Sequence, residues 1–257
     1  MRILGKALTA SLFTFLIIIF VILGTLRFGL LNKSFLFSSL DRNGVYEKLP
    51  KALAQSLPND PNIKNEDERR EFAKIANSVS PHLAKRIIET NFAPFLDFIN
   101  GESKDIKILI PAKELGIEGA GDISWSLSQM ENGESSSRFS GAYGLSSKIL
   151  IAWFLILLIL VGLFFLYGRL MIPPALLGGK TLLLTSGIFV IFIGIVGRFF
   201  SWLLETKMPI VEPAQALLKL LSLSLFPEIA ISWIIFGAIL LILFLICRSF
   251  RVNKKQY

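Results

Sequence analysis

The chain has 257 residues, a formal net charge of +8 and a single cysteine, and 53% of its residues are hydrophobic. Its mean hydropathy is +0.62, and soluble domains average only roughly 45–50% apolar residues even when glycine is counted. This composition excludes an ordinary soluble globular protein and a disulfide-stapled secreted domain, and it indicates an integral membrane protein.

Four apolar runs contain no charged residue and no histidine: Leu8–Leu26, Ile149–Tyr167, Leu182–Gly197 and Ile229–Cys247. Three of them have 19 residues and one has 16, and about 20 helical residues cross the hydrocarbon layer of a bilayer. The sequence therefore predicts four transmembrane helices. The first run could instead be a signal peptide. We interpret it as a retained helix, because its apolar core is long and no cleavage site follows.

Basic residues are distributed unevenly between the segments that join these runs. Segments 1–7, 168–181 and 248–257 hold eight of them and no acidic residue, namely Arg2, Lys6, Arg169, Lys180, Arg248, Arg251, Lys254 and Lys255. By the positive-inside rule these residues determine the topology, with both termini cytoplasmic and residues 33–147 outside the plasma membrane. Residues 33–147 carry 14 basic and 16 acidic residues. The net positive charge is thus a topology signal, and we expect no nucleic-acid partner.

The external segment begins with helical patterns. After a turn at Asn43-Gly44, the residues Tyr46, Leu49, Leu53 and Leu57 recur at three- and four-residue spacing and predict one helical face. A second helix is predicted to begin at Asn65, with Glu68 completing a capping box, and to bury Phe72, Ile75, Ala76 and Val79.

The stretch "SVSPHLAKRIIETNFAPFLDFING" predicts the third helix. Ser80 suits its N-cap, Pro81 its first position and Gly101 its end. The only histidine, His82, falls near the start of this helix and off its apolar face. A metal site or a general base would need partners that the sequence does not supply. We therefore interpret His82 as a surface residue.

After Gly101 the period of the pattern changes from helix to strand. Alternation in "DIKILIP" and "GDISWSLSQ" predicts two strands that pair as a small sheet, and a Ser/Gly-rich tether leads into the second span. A second external segment, 198–228, contains "AQALLKLLSLSLF", which is too short to span and too apolar to stand free in water. It predicts an interfacial or re-entrant helix; packing against the external domain is the alternative.

The sequence offers little chemistry. The spans carry no ionisable group of the kind that coupled transporters keep at depth. No nucleotide-binding, hydrolase, metalloprotease or redox motif occurs. Gly187, Gly194 and Gly197 of the third span predict close helix packing. We expect no enzyme activity, no catalytic or metal residues and no cofactor, and we interpret Cys247 as a small apolar residue in preference to a palmitoylation site.

Two resemblances are present. "SSLDRNGVYEKLPKAL" and "VSPHLAKRIIETNFAPFLDFINGESKDIKILIPAKEL" resemble uncharacterised bacterial four-span membrane proteins with one extracytoplasmic domain between spans 1 and 2. That likeness implies a bacterial plasma-membrane protein and implies no activity. The order of spans also resembles that of FtsX/MacB-type permeases. Those permeases have a longer cytoplasmic amino-terminal region and a longer loop after the second span than "GRLMIPPALLGGK".

The sequence thus predicts a mainly α membrane protein with four transmembrane helices and a small extracytoplasmic α+β domain of about three helices and two strands. Residues 1–32 form the cytoplasmic N-terminus and first span, 33–147 the external domain with its tether, and 148–257 the other spans, the interfacial segment and a basic cytoplasmic tail. We expect the external domain to bind or scaffold an envelope partner or to sense envelope state. The alternative is a membrane-embedded subunit of a transport system that works with a separate ATPase; a lipid- or wall-processing enzyme is a weaker third hypothesis.

Overall fold

The computed structural model describes residues 2–56, 65–115, 121–126, 141–171, 175–207 and 213–249. In these residues the chain is mainly helical. Helix α1 (Arg2–Gly24) continues into a π-helical segment (Thr25–Leu30), and α2 (Lys33–Arg42), α3 (Val45–Ser56), α4 (Glu66–Ser78) and α5 (Pro81–Asn100) follow. Strands β1 (Lys107–Ile110) and β2 (Ile123–Ser126) come next, and then the long helices α6 (Leu145–Met171), α7 (Ala175–Lys207) and α8 (Pro213–Ser249).

Four stretches of helix are long and apolar enough to cross a membrane: Ala7–Leu30, Leu145–Gly168, Lys180–Leu204 and Leu218–Ser249. Each contains one of the predicted apolar runs and extends beyond it. Large apolar side chains remain exposed along them, including Leu8 at 72% and Leu158 at 68%. Helices with this composition bury their exposed apolar side chains in lipid, since water would not solvate them. The chain thus has the architecture of a multi-pass membrane protein.

The fold divides into two compact units. The first comprises residues 1–28, 149–200 and 227–257, and the second comprises residues 29–148 and 201–226. The core of the first unit is formed by side chains of α1, α6, α7 and α8. Polar contacts between side chains join its helices. Thr14 Oγ1 lies 3.3 Å from Ser186 Oγ, and the Trp233 indole N–H donates to Thr25 Oγ1 at 2.9 Å. Such contacts satisfy hydroxyl groups that would otherwise be unpaired in an apolar bundle.

Glycines bring α7 and α8 into close contact. A Cβ atom on Gly194 would lie 2.9 Å from the Ala230 carbonyl oxygen, and one on Gly237 would lie 2.8 Å from the Gly187 carbonyl oxygen. Neither distance leaves room for a side chain. The predicted close packing at Gly187 and Gly194 is confirmed. Gly197 differs, because a Cβ there would meet Ala230 Cβ at an ordinary 3.7 Å.

In the second unit, α2 to α5 enclose an apolar core built on Leu40, Val45, Tyr46 and Ile88. The described residues between positions 33 and 100 form four helices, where the sequence predicted about three for the domain. The additional helix is α2, and Asn32 begins it: the Asn32 side chain accepts a hydrogen bond from the Phe35 amide at 3.1 Å. Asn32 is therefore the N-cap of α2.

The N-cap residues predicted for α4 and α5 are confirmed. The Asn65 side chain accepts a hydrogen bond from the Asp67 amide at 3.0 Å, and Ser80 Oγ accepts one from the Leu83 amide at 3.1 Å. Gly101 ends α5 with a φ of 79°, the left-handed conformation that favours glycine. Of the predicted core positions, Leu57 lies outside the described residues, and nothing is described of the Phe72 side chain.

Residues 201–226 contribute to the second unit. Leu220, Leu221 and Leu225, in the first half of α8, pack against its apolar core. Asn43 fixes this contact, because its Nδ2 donates to the Ser39 carbonyl at 2.8 Å and to the Ser224 carbonyl at 3.2 Å. These three leucines thus have apolar partners within the domain. Their predicted position at the membrane–water interface stays a prediction.

Candidate partner-binding surface

The two predicted strands pair as an antiparallel hairpin. Lys107 lies opposite Ser126, Ile108 opposite Trp125, Leu109 opposite Ser124 and Ile110 opposite Ile123. At the other edge of β1, the Asn91 side chain of α5 makes hydrogen bonds like those of a neighbouring strand. The Leu109 amide donates to Asn91 Oδ1 at 2.7 Å, and Asn91 Nδ2 donates to the Leu109 carbonyl at 3.0 Å. Strand β1 is therefore hydrogen-bonded along both of its edges.

Strand β2 has a different outer edge. The backbone groups of Leu109 point away from β2, towards Asn91. In an antiparallel ladder the residue opposite it, Ser124, must then direct its own N–H and C=O away from β1. No strand among the described residues pairs with that edge. Proteins commonly protect such edges with lysine, proline or a bulge, and the four residues "ISWS" of β2 include neither a lysine nor a proline.

One face of the hairpin is apolar and exposed. Ile108, Ile123 and Trp125 alternate onto this face and expose 39%, 37% and 50% of their surface. Lys107 and Asp122 lie on the opposite face and are exposed as well. Contiguous exposed apolar side chains beside the outer edge of a strand are typical of surfaces that bind another protein. We call the outer edge of β2 together with Ile108, Ile123 and Trp125 the hairpin surface.

A cluster of polar and ionisable side chains lies on α2, α3 and α5. The Tyr46 hydroxyl donates to Glu89 Oε1 at 3.2 Å. The Lys85 ammonium lies 3.3 Å from Asp41 Oδ2 and 5.4 Å from the centre of the Tyr46 ring. Each of these groups already has a partner within the domain. The cluster therefore fastens the helices together and leaves no group directed at a ligand.

Tyr46 links this cluster to the core, since only 4% of its surface is exposed. Burial, followed by the charge and hydrogen bond of Glu89 and the charge of Asp41, raises the pKa of Tyr46 well above its ordinary value. A raised pKa in the folded state means that the neutral phenol stabilises the fold below about pH 10 and that this contribution is lost as the pH rises further.

We expect the pH dependence of unfolding to show this loss. Between about pH 10 and pH 11.5 the wild-type protein should lose stability relative to Tyr46→Phe, which has no phenol to ionise. At pH 8 the wild-type protein should be the more stable of the two, because the variant lacks the hydrogen bond to Glu89, which contributes about 1 kcal/mol. Thermal unfolding of both proteins across this range measures the difference. Parallel stability curves would contradict the burial of a neutral phenol.

The residues singled out from the sequence are placed as follows. His82 is exposed at the start of α5, in agreement with its interpretation as a surface residue. Among the topology determinants, Lys180 is half-buried, Arg248 is exposed, and Arg2, Lys6 and Arg169 lie within helices. Arg251, Lys254 and Lys255 lie outside the described residues. Cys247 is half-buried near the end of α8, with its thiol free.

Metal ligands do not converge anywhere in the described part of the chain, which holds no group of three or more His, Cys, Asp or Glu side chains suited to a metal ion.

The hairpin surface was not predicted as a site from the sequence. Its signal in the sequence is the combination of two short alternating strands with a tryptophan and no protecting lysine or proline in the second. The two hydrogen bonds between Asn91 and Leu109 leave the Ser124 backbone directed to the outer edge of β2. They have no signature in the sequence.

Comparison of the chain with protein-family models, with curated proteins and with solved structures gave no match.

Proposed function

We propose that the chain is a non-enzymatic plasma-membrane protein whose extracytoplasmic domain, residues 33–147, binds a partner in the cell envelope. Support for the orientation comes from the eight basic residues of segments 1–7, 168–181 and 248–257, which lack acidic residues altogether. A domain held at the outer face by four spans is confined to one surface of the cell, as an envelope receptor or scaffold requires.

The observation that carries the binding role is the hairpin surface. Ser124 directs its backbone N–H and C=O to the outer edge of β2, where no strand among the described residues pairs with them, and Trp125 lies beside it with half of its surface exposed. This pairing of features supports strand addition, in which backbone hydrogen bonds give affinity and alternate side chains give selectivity. Exposed tryptophan side chains are also the residues that most often dominate the energy of an interface.

The test is site-specific crosslinking of the full chain in cells. A photoreactive benzoylphenylalanine in place of Trp125 should form covalent protein complexes at the cell surface, whereas the same group at Thr90, an exposed position on α5, should form at least tenfold fewer. A Ser124→Pro substitution should suppress the complexes, because proline cannot donate to an incoming strand. Labelling of Thr90→Cys with a membrane-impermeant maleimide, in a Cys247→Ser background, checks that the domain is outside.

Equal crosslinking from positions 125 and 90, or complexes that persist in Ser124→Pro, would contradict binding through the hairpin. Ser124→Ala is the matched control, since it removes the hydroxyl and keeps the backbone N–H. Labelling of Thr90→Cys only after the cells are opened would contradict the orientation.

A further inference from the structure

We infer that Arg27 and Trp153 form a binding site for the phosphate of an anionic phospholipid, at the end of the first span that lies away from the N-terminus. This site goes beyond the proposed function, because it belongs to the membrane-spanning unit and is separate from the hairpin surface. In the proposed orientation the bound lipid is one of the outer leaflet.

The position of Arg27 along its helix places it at the level of the lipid phosphates. The helical stretch that is apolar enough to cross a membrane, Ala7–Leu30, includes this arginine. The nearest cation before the apolar run is Lys6, 21 positions earlier. At about 1.5 Å per residue the two are about 32 Å apart, close to the roughly 30 Å thickness of the hydrocarbon layer. Lys6 and Arg27 therefore match the two headgroup levels of a bilayer.

Two buried N–H donors of the first unit lack an acceptor. Among its described residues, the buried side-chain nitrogen and oxygen atoms without a hydrogen-bond partner are Arg27 Nε and Trp153 Nε1. Both side chains lie beside Phe28: the guanidinium is 5.9 Å from the centre of the Phe28 ring, and the Trp153 ring centre is 5.5 Å from it. Buried polar groups are almost always paired. Two unpaired donors beside one ring therefore indicate an acceptor that comes from another molecule.

The backbone and its neighbours hold this end of the span in place. Arg27 belongs to the π-helical segment, and such wide turns occur frequently at functional sites. The Trp233 indole N–H donates to Thr25 Oγ1 at 2.9 Å, and Gly24 leaves room for Trp153, whose Nε1 would lie 3.1 Å from a Cβ atom there. Tryptophans of α6 and α8 thus contact the first span within one turn of the arginine. Tryptophan is enriched at the headgroup level of membranes, which agrees with the depth derived from the helix length.

A phosphodiester has the chemistry that these donors require. No carboxylate among the described residues forms an ion pair with Arg27, so its charge is left for an anion from outside the chain. The guanidinium fork matches two phosphate oxygens, and hydrogen bonds between charged groups are the stronger kind. An anionic headgroup is favoured over a zwitterionic one, because the choline or ammonium group of the latter competes with Arg27 for the phosphate.

The experiment titrates the full chain in detergent with phosphatidylglycerol and counts bound lipids by native mass spectrometry. The first phosphatidylglycerol should bind at least fivefold more tightly than phosphatidylcholine. Arg27→Gln should weaken this binding at least fivefold, because the amide carries no charge. Trp153→Phe, which keeps an aromatic ring and removes one donor, should weaken it severalfold less than that. Arg70→Gln is the matched control, since Arg70 is an exposed cation of α4, and it should leave the affinity unchanged.

Unchanged affinity in both Arg27→Gln and Trp153→Phe would overturn the site, as would equal affinity of the wild-type protein for phosphatidylcholine. Inorganic phosphate in tenfold excess over the lipid should leave the lipid bound. Its displacement would show that a free anion is the ligand and would overturn the assignment to a lipid. None of these results depends on crosslinking at the hairpin surface, so the proposed function can fail while the lipid site stands, and the reverse.

Discussion

Replacing Gly237 by leucine is expected to destabilise the membrane-spanning unit by about 3 kcal/mol or more. A Cβ atom at this position would lie 2.6 Å from Ile191 Cγ1, 2.8 Å from the Gly187 carbonyl oxygen and 3.0 Å from the Ile191 amide nitrogen. Two of these three neighbours are backbone atoms of α7, which cannot rotate away. Helices α7 and α8 would have to separate, and the loss of their packing has no hydrophobic compensation within a bilayer. The free energy of unfolding in mixed micelles measures the effect.

Gly162 provides the matched control. It also lies within a long apolar helix, α6, yet a Cβ atom there would meet nothing within 4 Å. Gly162→Leu should therefore leave the unfolding free energy within about 0.5 kcal/mol of the wild-type value. If both substitutions had the same effect, loss of helix packing would not be the cause, and the close contact of α7 with α8 would be wrong.

Asn91→Ala is expected to destabilise the second unit by about 3 kcal/mol. The substitution removes both hydrogen bonds that hold β1 against α5, and it leaves the amide and carbonyl of Leu109 without partners in a partly buried position. The β1–β2 hairpin should detach before the helices unfold. Hydrogen exchange of the Leu109 amide should accelerate by at least tenfold, and mass spectrometry of the 105–115 peptide measures it.

Thr90→Ala is the control for Asn91→Ala, because Thr90 is the adjacent residue of α5 and is exposed. It should leave both the unfolding free energy and the Leu109 exchange rate close to their wild-type values. An Asn91→Ala protein with unchanged exchange at Leu109 would show that the hairpin is held by something other than this side chain. It would also remove the ground for directing the Ser124 backbone to the outer edge.

Much of the second unit could be predicted from local sequence patterns. Ser80, Pro81 and Gly101 define α5 correctly, because N-caps, first-turn prolines and left-handed glycines act over one helical turn. The alternating residues of β1 and β2 were recognised for the same reason, since a period of two is a local property of a strand. The predicted pairing of the two strands as a small sheet is confirmed, and the structure shows that it is antiparallel.

Other features depend on residues far apart in the chain. Asn43 bonds to Ser224 and Asn91 to Leu109, separations of 181 and 18 residues. A single asparagine side chain has many possible partners, and only the packed fold selects one of them. The leucines of α8 that pack against the core of the second unit show the same dependence on tertiary structure. Their apolar character was evident, but an amphipathic pattern states only that a face is buried, without naming what covers it.

The sequence by itself determined the four long apolar helices, the multi-pass class and both ends of α5, because these follow from apolar length, composition and caps within a few residues of each other. Tertiary structure alone decided that α8 is the helix that Gly187 and Gly194 contact, and that Gly237 lies at this contact on α8. It also decided that Asn91 occupies one edge of β1, so that the Ser124 backbone is directed to the outer edge of β2. The physical reason is that a strand edge or a helix contact depends on two segments of the chain. Their interaction contributes free energy only once folding has brought the two segments together.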